Sequence, residues 1–185
     1  MEKTNIYYSQ IRQRWHASII DGLIISAISL LLYSFLPHVF FSDVICSLAT
    51  IGYGVYFVTT RGQTPGKKYA GIKVITDGEG LTLPSITQAM LRETFSIGIA
   101  VFQILFRLQL MLGNEETDVV SSVTTLSLIL SLFNSANIIF LFATSKHKAL
   151  HDYIAHTVVI DSRKMEREER KREHKERILQ ILRND

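Results

Sequence analysis

The chain has 185 residues, 47% of them hydrophobic, with 20 Lys/Arg against 17 Asp/Glu and a pI near 9.0. The basic excess does not indicate a nucleic-acid partner, because the cations gather in the terminal segments and one loop, apart from the apolar runs. A single cysteine, Cys46, excludes an intrachain disulfide and suits a small apolar filler.

Asp, Glu, Lys and Arg are absent from residues 22–42, 44–60 and 119–145. Windows of this length predict a polytopic membrane protein in contact with the lipid bilayer. No short apolar segment precedes a small-residue cleavage site, so the first helix is expected to serve as its own insertion signal. The lead 1–16 carries Lys3, Arg12 and Arg14, and its Tyr7, Tyr8 and Trp15 suit a headgroup-level aromatic belt. The first span is expected at about 17–36. Its only charge is Asp21, and Arg14 lies two helical turns earlier on the same face. An ionised group about 10 Å inside a span costs a few kcal/mol unless paired, so Asp21 is expected to face other helices.

Pro37 and His38 mark the exit, Asp43 falls in the connection, and a second span follows at about 44–60. Residues 61–84 carry Arg61, Lys67, Lys68 and Lys73, with Thr64-Pro65-Gly66 as a tight turn. Lys67 and Lys68 are expected to attract lipid headgroups. Residues 71–76 alternate like a strand, and Leu81-Thr82-Leu83 is expected to return as its hairpin partner. Pro84-Ser85 opens a third helix, about 85–108. Arg92 and Glu93 lie in its first half, so it is expected to begin at the interface and then enter the bilayer.

A fourth span is expected at about 120–143, with Asn134 and Asn137 on one face as interhelical amides. Residues 157–160 read as a strand able to join the 72–83 element. Residues 162–185 are almost wholly charged, with Glu-to-Arg pairs four apart at 166/170, 168/172 and 173/177, which predicts a solvated helix. Its apolar cluster is Ile178, Leu179, Ile181 and Leu182, but charged upstream heptad positions argue against a coiled coil. The lead holds three Lys/Arg, the 61–84 loop four and the segment after the fourth span eleven, while the other two loops hold none. Four spans in the cell membrane with both termini cytoplasmic satisfy the positive-inside rule at every loop.

Three blocks together resemble the RDD family of membrane proteins: Arg14-Trp-His-Ala-Ser-Ile-Ile-Asp21-Gly, Gln63-Thr-Pro-Gly-Lys-Lys-Tyr-Ala-Gly-Ile-Lys-Val74, and Ala149-Leu-His-Asp152-Tyr-Ile-Ala-His-Thr-Val-Val159. The family is named for one arginine and two aspartates, which by this match are Arg14, Asp21 and Asp152. The resemblance covers about 10–161 and leaves the tail outside. His156 departs from it, standing where a small residue such as glycine is usual. The resemblance implies an all-α four-span bundle with a small cytoplasmic β element. It also implies membrane transport, with sodium/proton antiport in some members and a role in membrane-protein quality control or protease regulation in others.

The chemistry consistent with these residues is cation/proton exchange at Asp21, where a proton and a monovalent cation compete for one carboxylate. Asn134, Asn137, Ser26 and Ser29 are candidate neutral oxygens for a cation shell. The structural alternative is an ion-pair cluster of Arg14 and Asp21 with Arg92 and Glu93. Asp152 is expected to pair with Arg14 or with a basic residue of the 61–73 loop. His147, His151 and His156 are weak metal candidates, because the spacing lacks the glutamate of a zinc-protease helix. Residues 62–68 fit a phosphate-binding loop poorly, the glycine spacing being one residue short. No constellation for enzymatic hydrolysis is present and no cofactor is implied. Transport with so few helices would call for a homo-oligomer. The rival reading is a non-transporting accessory or regulatory protein that binds another membrane protein or protease, partly through its tail.

Overall fold

A computed structural model describes residues 6–36, 39–78, 80–111, 128–129, 132, 135–136, 139–144 and 147–184. Asn134, Asn137, the acidic loop at 115–118 and most of the expected fourth span lie outside these residues. The element order is α1 (Ile11–Phe35), α2 (Val39–Arg61), α3 (Pro65–Ala70), β1 (Ile72–Thr76), α4 (Ile86–Arg92), α5 (Thr94–Met111), α6 (Leu150–Ile154), β2 (Thr157–Asp161) and α7 (Ser162–Asn184).

Helix α1 is apolar on all sides, and Ala17 is its one buried residue. Leu23, Leu30 and Phe35 are 67%, 70% and 82% exposed. In water such side chains would form a large aggregating patch; acyl chains cover them at no cost. α1 and the Phe41–Arg61 stretch of α2 are each long and apolar enough to span a membrane. α1 begins two turns earlier than the apolar run indicates, because the polar residues 11–16 extend the helix beyond the hydrocarbon-facing part. α2 likewise starts at Val39, so Asp43 lies inside a helix and not in the connection. The Tyr33 hydroxyl donates to Asp43 Oδ1 and holds the two helices together at this end.

The third expected helix is broken. Ser85 caps α4, accepting from the Gln88 amide (3.2 Å) while its own amide donates to Gln88 Oε1 (3.0 Å). At Glu93 the axis bends by 61° before α5 continues. Counted as one bent span, the pair raises the described candidate spans from two to three.

The strands correct one expectation. β1 pairs antiparallel with β2, from Ile72 opposite Asp161 to Thr76 opposite Thr157, and not with 81–83. Residues 81–83 contribute the single backbone bond Thr76 N–H to Thr82 O (3.0 Å). Thr157-Val158-Val159-Ile160 is the longer β-branched run, and Tyr8 bridges to Ile160 on the edge of β2 away from β1. The sheet is buried on both faces. Ile72, Val74 and Val159 pack with Ala17, Val58 and Ala89 of the helices, whereas Ile75, Val158 and Ile160 pack with Tyr8 and Met165.

His156, the departure from the family pattern, has φ +50°, left-handed geometry that glycine adopts freely. The turn is therefore kept and the side chain is strained. His156→Gly should raise stability by about 1 kcal/mol, read as thermal unfolding in detergent; a loss of stability would show that the imidazole makes a contact outweighing the strain.

Candidate functional site

Asp152, fully buried near the start of α6, is the centre of an ionic cluster. Its Oδ2 accepts from Arg14 Nη1 (2.7 Å) and from the Ala149 amide (3.1 Å). Its Oδ1 accepts from Arg92 Nη1, which also donates to Thr157 Oγ1 (2.8 Å). Arg14 Nε donates to Ser9 Oγ (2.9 Å). One carboxylate thus joins α1, α4, α6 and β2. Burial alone would raise the Asp152 pKa, but Arg92, His151 and Arg14 together hold it far below the ordinary carboxylate range. His151, beside Asp152 (3.5 Å), is pushed down to about 4, first by burial and then by the neighbouring cations Arg92, Arg14 and Lys67 acting against Asp152. At neutral pH it is uncharged, so the two guanidiniums carry the counter-charge.

Asp21 has different partners. Tyr53 of α2 (2.7 Å) and the Gly66 amide (2.8 Å) donate to Oδ1, and Thr64 Oγ1 donates to Oδ2. Arg14 does not pair with it: its Nη1 goes to Asp152 instead. The block Thr64-Pro65-Gly66 now has a physical reading. Thr64 caps α3, Pro65 occupies its first turn, and Gly66 lets α3 press against α1. A Cβ on Gly66 would stand 2.3 Å from the Ala17 carbonyl and 2.7 Å from Asp21 Cγ.

Successive residues of α3 point about 100° apart, which separates the two lysines. Lys68 is exposed, whereas Lys67 lines a cavity. Burial, then Arg92, lowers the Lys67 pKa. No described carboxylate lies within salt-bridge distance of its ammonium.

That cavity, of about 600 Å³, is bounded by Arg14, Asp21, Lys67, Arg92, Glu93 and His151, with Ser96 and Leu141 among its other walls. Glu93, half-buried at the bend between α4 and α5, accepts from Ser96 Oγ (2.8 Å) and lies against Gly54 of α2. Ser96 also borders a second cavity, of about 330 Å³, with Ser29, Tyr33, Asp43, Ser47, Thr50 and Gln103. Ser29 therefore belongs to a different cavity from Asp21, and the exposed Ser26 lines neither. The three histidines are not brought together. His147 Nδ1 lies 3.4 Å from the Leu141 carbonyl, His151 sits beside Asp152, and His156 forms the strained turn. Among the described residues no group of three His, Cys, Asp or Glu side chains is placed to hold a metal.

Long helices with lipid-compatible surfaces, packed around an ionic cluster at one end, define a membrane protein with two or three described candidate spans. The chain belongs to the RDD family, whose model matches residues 8–156. No curated protein matches the sequence. The family match contains Arg14, Asp21 and Asp152 and ends just before β2.

Three outcomes follow. Asp152→Asn leaves two buried guanidiniums short of a counter-charge and should cost about 3–5 kcal/mol; a loss under about 1 kcal/mol would contradict the cluster's structural role. Gly66→Ala should cost about 1–3 kcal/mol through the α1–α3 clash, with Gly78→Ala, where nothing lies within 4 Å of the added carbon, as the neutral control. Because the unfolded chain binds more protons at both His151 and Asp152, stability should fall as pH drops, first between about 6.5 and 4 through His151 and then further below Asp152's ordinary value. In His151→Gln the first limb should flatten in a pH series of thermal unfolding.

Proposed function

We propose that this protein is a transporter, most concretely a cation/proton antiporter, with four spans in the cell membrane and both termini cytoplasmic. The observation that carries the reading is Ser96, which borders both cavities. The first cavity begins beside Arg14 and the second reaches Tyr33. Nineteen residues of helix separate those positions, a rise of about 28 Å, close to the thickness of a hydrocarbon core. Hydroxyls, the Gln103 amide and the Asp43 carboxylate are among the walls of the far half, and six ionisable groups line the near half.

Within this reading Glu93 is the better exchange site. Asp21 is held by three donors that a cation would have to displace. Glu93 accepts one described side-chain hydrogen bond, from Ser96, and stands where a span is broken, the kind of position at which transporters bind coupling ions. Proton and cation then compete for the Glu93 carboxylate while Lys67 supplies an opposing charge nearby. The Lys/Arg distribution supports the orientation, with three, four and eleven in the segments assigned to the cytoplasm. Four spans are few for alternating access, so a homo-oligomer is the proposed working unit.

Purified protein in proteoliposomes should release protons when Na⁺, K⁺ or Li⁺ is added. Glu93→Gln should lower that flux at least about tenfold while keeping its fold, and Asp21→Asn should lower stability more than flux per folded molecule. Absence of flux with every cation, or equal flux in parent and Glu93→Gln, would remove the exchange assignment.

A further inference from the structure

Helix α7 is anchored at its root and free along its length. Ser162 Oγ donates to the Gly71 carbonyl (3.0 Å), Arg163 Nη2 donates to the Tyr69 carbonyl, Lys164 stacks over Tyr7 (4.4 Å), and Met165 packs on the sheet. Every residue from 169 to 183 is exposed.

Along this exposed rod the glutamates and part of the cations sort by face, while Arg170, Arg172, Arg177 and Arg183 lie between the two stripes. Glu166, Glu169, Glu173 and Glu176 recur at steps of three and four, which places them on one stripe. Arg167, Lys171 and Lys175 recur at steps of four on the opposite stripe, which continues by a step of three to Ile178 and a step of four to Leu182. His174, Leu179 and Ile181 flank that second stripe, and Glu168 stands at its edge, bonded to Lys171 (2.8 Å). The apolar residues are 43–68% exposed. Composition alone hides this division, since the tail looks uniformly charged.

We propose that α7 is a membrane-surface helix. Its Arg167–Lys171–Lys175 stripe lies on anionic phospholipid headgroups, and Ile178, Leu179, Ile181 and Leu182 enter the acyl boundary beyond them. A basic stripe that continues into an apolar end, with glutamates on the opposite side, presents both charge and apolar area to an anionic bilayer surface. A bilayer is within reach, because the helix grows from the sheet of a membrane-embedded bundle and extends about 34 Å. A coiled-coil partner would need a longer apolar seam than one and a half turns supplies. The assignment goes beyond the transport reading and does not depend on it.

The test uses the full chain with Cys46→Ser, spin-labelled through Leu182→Cys or, on the acidic side, Gln180→Cys, in nanodiscs of phosphatidylcholine alone or with about 30% phosphatidylserine. In the anionic discs the label at 182 should gain oxygen over nickel-chelate accessibility by at least about threefold, while the label at 180 stays open to nickel. Arg167→Glu with Lys171→Glu and Lys175→Glu, or about 0.5 M salt, should abolish the shift at 182. These exposed positions lie beyond the root contacts, so the variant leaves the bundle intact. Equal water accessibility at 182 in both lipids would overturn the proposal. So would a label at 182 shielded equally in both lipids and in detergent, which would assign the face to protein contact.

Discussion

One buried carboxylate determines how this chain closes on itself. Asp152 follows Arg14 by 138 residues and Arg92 by 60, and both guanidiniums end on it. A lone ionised carboxylate in that position would cost several kcal/mol, and so would either guanidinium without it. The three groups therefore form together or not at all, and their formation brings the start of α1, the end of α4 and the start of α6 and β2 to one point. Thr157, donated to by Arg92, carries the linkage into β2, whose register with β1 then sets the root of α7. Asp21 performs a second, separate closure. It accepts three hydrogen bonds from Tyr53, Thr64 and Gly66, and so fixes α3 against α1 and α2. The two aspartates of the family pattern are thus both acceptors, one satisfied by charge and one by neutral donors.

These closures create the space that the transport reading uses. The ionic cluster and α3 wall the first cavity, and the bend at Glu93 turns α5 away so that Ser96 stands between the two cavities. The cavity chemistry is divided accordingly. Asp152 and Asp21 are committed to holding elements in place, while Glu93 and Lys67 are the charged groups left with the fewest described partners.

Much of this was legible in the sequence where a periodic or punctuating signal was strong. The charge-free runs predicted α1, α2 and the apolar body of α5, and Pro84-Ser85 marked the start of the third expected helix. Thr64-Pro65-Gly66 was readable as a turn, but only the structure shows that its threonine and glycine exist to serve Asp21. Strand pairing was legible in part: 157–160 was expected to join the 72–83 element and does, but local spacing also favoured 81–83 as the hairpin partner, and it is not one. The pairing of Asp152 with Arg14 was legible and is found, whereas the alternative pairing of Arg14 with Asp21, suggested by helical spacing, is not, because Asp21 is held by Tyr53, Thr64 and Gly66. The break at Glu93 did have a signal: two adjacent charges, Arg92 and Glu93, inside an otherwise apolar helix. The inward turn of Lys67 had none, because adjacent lysines look alike until the helix phase is fixed.

Ser96 borders both cavities and is where the proposed polar track either continues or stops. Ser96→Cys in a Cys46→Ser chain, reconstituted with known orientation and treated with a membrane-impermeant thiol reagent from each side in turn, tests that directly. Modification from both sides, at rates well above those of a lipid-facing control such as Leu30→Cys, is the predicted result. Failure to react from either side, with reaction only to a lipid-soluble reagent, would mean that no polar track crosses this bundle.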